Sequence, residues 1–279
     1  MIRAFHGDPA IRSDVIARLE RHADAGTLSF GASHWDGTSG TPLGVAAESA
    51  AIEDYAARFG YPLALAGLLD PIAASVPASA CDTAIAWHRC VRPGTDLSDV
   101  PLRILIDLLE RLGAPDLAPR RFAVVVAQHR REAAGYIADR ATWTPLRTAI
   151  ETEEAAADDA IRAALGACAL ACWPLATSRS VLVGLIHAWA TAIPVVPDPD
   201  FDAVQKQAAD AALHALWEET QPQRDSGDAV HLPDLFRTRH PDLARRFEAN
   251  LASTNAAYAA RATQLPTMIL AHLAAASAA

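Results

Sequence analysis

Lysine is almost missing from this chain: Lys206 is the only one among 24 basic residues, and the rest are arginine. Against 33 acidic residues this leaves a formal net charge of −9, which argues against a general nucleic-acid-binding role, because phosphate contacts need a basic face. Aromatic residues are only 6% of the chain, while alanine makes up about a fifth. Small side chains at that density favour helix over strand and let helices approach closely. The four cysteines, Cys81, Cys90, Cys168 and Cys172, are too few and too widely spaced for a disulfide framework, and they fall in apolar runs where a reduced thiol behaves as a small hydrophobe. No convincing β-alternation, heptad array or exact internal repeat occurs.

The amino terminus, MIRAFHGDPAI, has no basic segment followed by an apolar run and a small-residue cleavage site, so a secretory signal is not expected and the cytoplasm is the expected compartment. The most apolar stretch, SVLVGLIHAWATAIPVV at 180–196, contains His187, is closed by Pro194 and follows Arg179 without a basic cluster, so it reads as a buried core helix rather than a membrane span. No membrane partner is expected.

What the chain does have is helix punctuation. Asp8 followed by Pro9 opens a first helix with Ile11, Val15, Ile16 and Leu19 on one face, ended by Gly26. GVAAESAAIEDYAARFG predicts a second helix stopped by Gly60, and Pro62 opens a third over PLALAGLLDPIAASV. Thr95 or Asp96 caps a helix with Leu102, Leu105, Ile106 and Leu109 in a stripe, and Gly113 with Pro115 marks a boundary. Longer elements follow over RRFAVVVAQHRREAAGYIADRA, then PLRTAIETEEAAADDAIRAALGACALAC, then the apolar segment after Pro174. PVVPDPDFD (194–202) reads as a joint before AVQKQAADAALHALWEE, and 221–234 reads as a flexible linker. The expected fold is all-α, a multi-helix bundle of roughly ten to twelve helices, with an N-terminal region over 1–115 and a C-terminal bundle over 116–279, either as two bundles or as one continuous domain.

One segment stands apart. FGASHWDGTSGTPLG (30–44) places His34, Trp35 and Asp36 together among four glycines. Neither a phosphate-loop pattern nor GxGxxG is present, and no strand precedes the loop, so a nucleotide cradle is disfavoured. What remains is an imidazole able to exchange protons near neutrality, an indole donor and a carboxylate. The alternative is a turn in which Trp35 plugs a groove and Asp36 bonds backbone amides. His and Trp recur as neighbours at Trp87 with His88 and at His187 with Trp189, which raises convergence on one pocket against satisfied core side chains.

Other groupings fail on spacing. Glu151, Glu154 and Asp158 share a helical face but lack the third carboxylate of a magnesium-diphosphate helix, and Asp198, Asp200 and Asp202 lack the glycine and closing glutamate of a calcium loop. Asp210 and His214 have no matching partners for iron, and no cofactor or metal is implied. Arg120, Arg121, Arg130, Arg131 and Arg140 make the most basic stretch, open to an anionic partner or to balance by neighbouring acids.

The segments FHGDP (5–9), His22, HW (34–35), GTPLG (40–44), YAARFGYP (55–62) and GTDLSDV (94–100) occur in an order that resembles a family of uncharacterised bacterial proteins, over about the first 115 residues. The pattern's two cysteines are replaced by Thr41 and Val45, its histidine by Ile52, and its tyrosine before tryptophan by His34. The resemblance implies a shared helical scaffold and a shared pocket at the loop. Thiol or histidine chemistry at the replaced positions is not carried over.

Two functional expectations follow. The first is a cofactor-independent enzyme for a small, largely apolar metabolite, of cyclase or isomerase type, with His34 as acid/base, Asp36 as orienter or second acid, and Trp35, Trp87, His88 and His187 lining the ligand. The second is a non-catalytic ligand-binding or protein-interaction module in which the loop is a structural turn. A small-molecule ligand is the expected partner, and a homodimer is one outcome for an oligomeric state the sequence leaves open. An enclosed pocket at His34 would favour the enzyme, and a filled core would favour the module.

Overall fold

A computed structural model describes residues 3–112, 119–157, 159–175, 180–191 and 200–278. Among them every regular element is helical; two isolated bridge pairs, Leu28 with Gly40 and Trp35 with Gly40, are the closest approach to strand. The expected all-α bundle is therefore what the chain forms. The Gly113–Pro115 boundary, Asp158, Arg179, Asp198, the Trp189 side chain and most of the joint at 194–202 lie outside the described residues.

Helix α1 (Pro9–Asp24) begins where Asp8 accepts a hydrogen bond from the Ala10 amide at 2.8 Å and Pro9 takes the first helical position. Val15 and Leu19 are buried and Ile11 and Ile16 half-buried, which is the apolar face the sequence spaced out. Just before it, Phe5 and His6 hold φ of 52° and 51°, a left-handed conformation costly for residues with a Cβ. Phe5 is fully buried against the rings of Phe59 and Tyr61, and that packing holds the strained turn in place.

Several helices are shorter than the hydrophobic pattern implied. The second expected helix is two, α2 (Pro42–Ala47) and α3 (Ile52–Phe59), because Glu48 turns left-handed at φ 55° and its carboxylate is taken by Arg58 at 2.9 Å. The third is likewise split into α4 (Leu63–Ala66) and α5 (Leu69–Ala74), followed by α6 (Ala80–Arg89). In α7 (Val100–Leu112) the buried seam runs through Ile104, Leu105, Leu108 and Leu109, with Leu102 and Ile106 only half-buried. Helix α8 (Pro119–Ala133) stops before Gly135, where φ is +93°, so the segment expected to run on to Ala141 is a helix and a loop that leads into the next helix. Helices α9 (Arg140–Ala156) and α10 (Asp159–Leu170) replace another single expected helix, and α11 (Val181–Thr191) follows.

At 11 residues α11 is about 16 Å long, half of what a bilayer core requires. Among the described residues no single helix is long and apolar enough to cross a membrane.

Helix α12 (Ala203–Glu219) opens on a capping box, with Asp202 accepting from the Gln205 amide and the Gln205 side chain accepting from the Asp202 amide. The stretch expected as a linker instead starts with a short helix, α13 (Gln221–Asp225), before α14 (Leu232–Arg239) and the long α15 (Pro241–Ala278).

The chain divides into two compact units, Met1–Ala192 with Ala260–Ala279, and Ile193–Ala259. In the first, α1 packs on α6 and α2, α5 on α6, α7 on α8 and α11, and α10 on α9 and α11; Leu265, Met268, Ile269 and Leu273 of α15 join the same core. Helices α7 and α8, on either side of residues 113–118, thus belong to one unit. The second unit closes on Phe201, Ala209, Leu216, Phe236 and Ala244.

Candidate functional site

The glycine-rich loop leaves α1 and returns to α2 as a closed excursion. Ser29 donates to the Gly40 carbonyl at 2.8 Å, Gly40 to the Thr27 carbonyl at 3.2 Å, and Thr41 to the His34 carbonyl at 3.0 Å. Two of the glycines are explained by this crossing: a Cβ at Gly40 or Gly44 would stand 2.4 Å or 2.0 Å from the His34 carbonyl oxygen. Trp35 is half-buried, packed edge-on to His22 at 5.8 Å and against the core. It closes the loop's base.

Beneath that base is a residue the sequence reading did not single out. Asp70, on the first turn of α5, is 3% exposed and accepts hydrogen bonds from the Leu43 amide at 2.9 Å and the Ser33 hydroxyl at 2.7 Å, with the Thr41 hydroxyl as a third donor. Burial raises its pKa above the usual carboxylate range, and the donors and nearby His34 only partly offset this. The signal was a lone carboxylate inside the apolar run of 63–76, where a charge survives only if it has partners.

Above the base, residues 29–38 are exposed apart from Trp35. Asp36 spends its carboxylate on the turn: one oxygen accepts from the Thr38 amide, the Thr38 hydroxyl and the Ser39 amide at 2.7–3.0 Å, the other from the Ser39 hydroxyl at 2.8 Å. Those backbone and hydroxyl donors hold its carboxyl far below the usual range, so it is a fixed negative charge with little basicity. His34 stands half-exposed, with Nε2 3.8 Å from Asp36 and Nδ1 3.5 Å from the Ser29 hydroxyl. The amides of Phe30, Gly31, Ala32 and Ser33 donate to no acceptor among the described residues. The loop therefore presents four consecutive N–H groups and an imidazole to solvent.

The other sequence-selected residues lie elsewhere. Trp87 and His88 are fully buried on α6, among Phe5, Tyr55, Phe59 and Tyr61. Trp87 donates its indole N–H to the Tyr55 hydroxyl at 3.0 Å, and the same hydroxyl shares a hydrogen bond with His88 Nε2 at 3.3 Å. Neither Nδ1 of His88 nor the Tyr61 hydroxyl has a partner among the described residues. Burial pushes the His88 pKa down to about 3, so the ring is neutral. Trp35 belongs to a different ring group, with His22, so the structure does not bring the two His–Trp pairs together. His187 is on an exposed face of α11.

His34 is exposed and lines neither the cleft at Arg147 nor the cleft at Arg92. Two clefts lie elsewhere in the first unit: about 450 Å³ beside Arg147, Glu151, Glu154 and Trp173, and about 500 Å³ beside Arg3, Arg92 and Arg103. In the basic stretch, Arg121 pairs with Glu153 and Arg130 with Glu110, while Arg131 lies over Tyr136. Among the described residues no three His, Cys, Asp or Glu side chains stand close enough to hold a metal ion.

Fold and loop define an all-α protein with a clamped, outward-facing loop. The chain matches no family model, no curated protein and no solved structure.

Proposed function

We propose that this protein is a non-catalytic binding module whose recognition element is the exposed loop at 29–38, taking a small ligand that presents carbonyl or carboxylate oxygens. The observation that carries the reading is the row of amides at 30–33 without acceptors beside His34, on a loop whose base is anchored to buried Asp70. Ser33, the last of the four, is anchored through its hydroxyl to Asp70, and a donor fixed before the ligand arrives loses little entropy on binding. The filled interior around Trp87 and His88 supports binding at the surface loop rather than in a core pocket.

A second reading, the cofactor-independent enzyme, is favoured by one contact, the 3.8 Å approach of His34 Nε2 to Asp36. An imidazole oriented by a fixed carboxylate can pass a proton, the minimum an isomerase or cyclase needs.

One experiment separates them. Small carboxylic acids and amides are screened against the 15N-labelled protein and the His34→Ala variant, and each mixture is followed for product. Binding is supported by compounds that shift the amides of Phe30 to Ser33 without being converted, and more weakly in the variant. Conversion lost in His34→Ala would transfer support to the enzyme. Compounds that bind wild type and variant alike, with no shift in the loop, would overturn both.

A further inference from the structure

The opposite end of α1 from the loop carries a second feature. Residues 3–5 pair with the 92–96 turn: Ala4 donates to the Thr95 carbonyl at 2.9 Å, Gly94 returns a bond to the Ala4 carbonyl at 2.8 Å, and the Arg3 guanidinium donates to the Gly94 carbonyl at 3.0 Å. Gly94 makes this turn at φ +85°. The end of α15 closes the other side, where the Ser277 hydroxyl accepts from the Arg92 amide at 3.1 Å. Between these walls lies the cleft of about 500 Å³, lined by Arg3, Arg92 and Arg103 and by Asp96 and Asp99.

Most arginines elsewhere in the chain are either paired with acids or, like Arg12, Arg131 and Arg224, engaged with carbonyls or rings. Arg18, Arg58, Arg89, Arg111, Arg121, Arg130 and Arg147 each stand within 4 Å of a carboxylate. Arg92 and Arg103 have no carboxylate partner among the described residues, although the chain carries an excess of nine acids. Asp96, on the same cleft, gives one oxygen to the amide and hydroxyl of Ser98, which hold it below the usual range. Among the described residues, three guanidiniums against two carboxylates give the cleft lining a positive balance in an acidic protein. A volume near 500 Å³ is within the range of small-molecule sites.

We propose that this cleft binds a small phosphate-bearing anion, with Arg92 and Arg103 as the principal donors and Arg3 supporting the wall. The guanidinium fork matches phosphate oxygens two at a time, and the two forks here have nothing else to bind. Helix α1, 16 residues and about 24 Å long, lies in the chain between the cleft's Arg3 and the loop, and the two share no lining residue.

Inorganic pyrophosphate and inorganic phosphate are the probes, titrated calorimetrically at low salt into wild type, Arg92→Ala/Arg103→Ala, Arg120→Ala and His34→Ala. Saturable binding of pyrophosphate by wild type is expected, weakened about tenfold or more in the double variant and unchanged in the two controls. Amide shifts at Gly94 and Thr95 in wild type give an independent readout should the double variant fold poorly. No saturable binding, equal binding by the double variant with both amides unmoved, or a loss matched by Arg120→Ala would overturn the proposal. A loss confined to His34→Ala would place the anion at the loop and also overturn it.

Discussion

Replacing Asp70 tests whether the loop is anchored as described. In Asp70→Ala the buried Leu43 amide loses its acceptor, while Ser33, which is exposed, can turn to water. A buried N–H left without a partner costs ~1–3 kcal/mol, and at ~2–4 °C per kcal/mol for a protein of this size the melting temperature falls by about 2–12 °C. Asp70→Asn keeps one acceptor oxygen for Leu43, and its amide can donate to the Ser33 hydroxyl, so its loss is under ~1 kcal/mol. The pH dependence adds a second signature. Burial raises the Asp70 pKa, so the fold binds this proton more tightly than the unfolded chain does. The residue's contribution is therefore full below the ordinary carboxylate range and is lost as pH rises through the raised value. The difference in melting temperature between wild type and Asp70→Asn, measured from pH 3.5 to 7, should move against wild type as pH rises. An unchanged melting temperature in Asp70→Ala, or equal losses in Asp70→Ala and Asp70→Asn, would refute the anchoring argument.

Three further outcomes are expected. Tyr55→Phe breaks the relay from Trp87 to His88 and costs ~1–3 kcal/mol, whereas Tyr61→Phe removes a buried hydroxyl with no partner and leaves stability unchanged or raised, as denaturant titration will show. Because burial depresses the His88 pKa to about 3, the unfolded chain takes up a proton first; stability from this residue is full above the ordinary imidazole range and falls by up to about 1.4 kcal/mol per pH unit on acidification towards 3, a slope missing in a folded His88→Gln variant. Burial raises the thiols of Cys90 to about 11 and Cys172 to about 12, and raises Cys168 further, so a thiol reagent at pH 8 should label Cys81 well before the other three.

The helical class was legible because punctuation and composition agreed: Asp8 with Pro9 starts a helix and Gly60 stops one as their chemistry dictates. The segments FHGDP, GTPLG, YAARFGYP and GTDLSDV are structural joints. Phe5 fills a ring cluster, Gly60 admits the Arg3 carbonyl where a Cβ would stand 2.1 Å away, Thr41 caps α2, and Asp96 closes a turn with Ser98. Helix lengths were less legible, since an apolar period does not show a break such as the one at Glu48, which is set by Arg58 from ten residues on. The loop stood out in sequence, and so did the amide-binding role considered for Asp36. Asp70 did not, because its meaning depends on Leu43 and Ser33, far away along the chain. His129 is a similar case: its ring nitrogens meet the Ala171 carbonyl and Glu132, against Trp143, contacts that no local pattern announces.

Amide-resolved hydrogen exchange on the free protein, and again with a ligand found by screening, tests most directly whether this is a clamped loop that presents its donors. Slow exchange at Thr41 and Leu43, fast exchange at Phe30 to Ser33, and protection of those four amides on ligand binding are expected. Protection at 30–33 already in the free protein, or exchange at Leu43 as fast as at Gly31, would contradict the account.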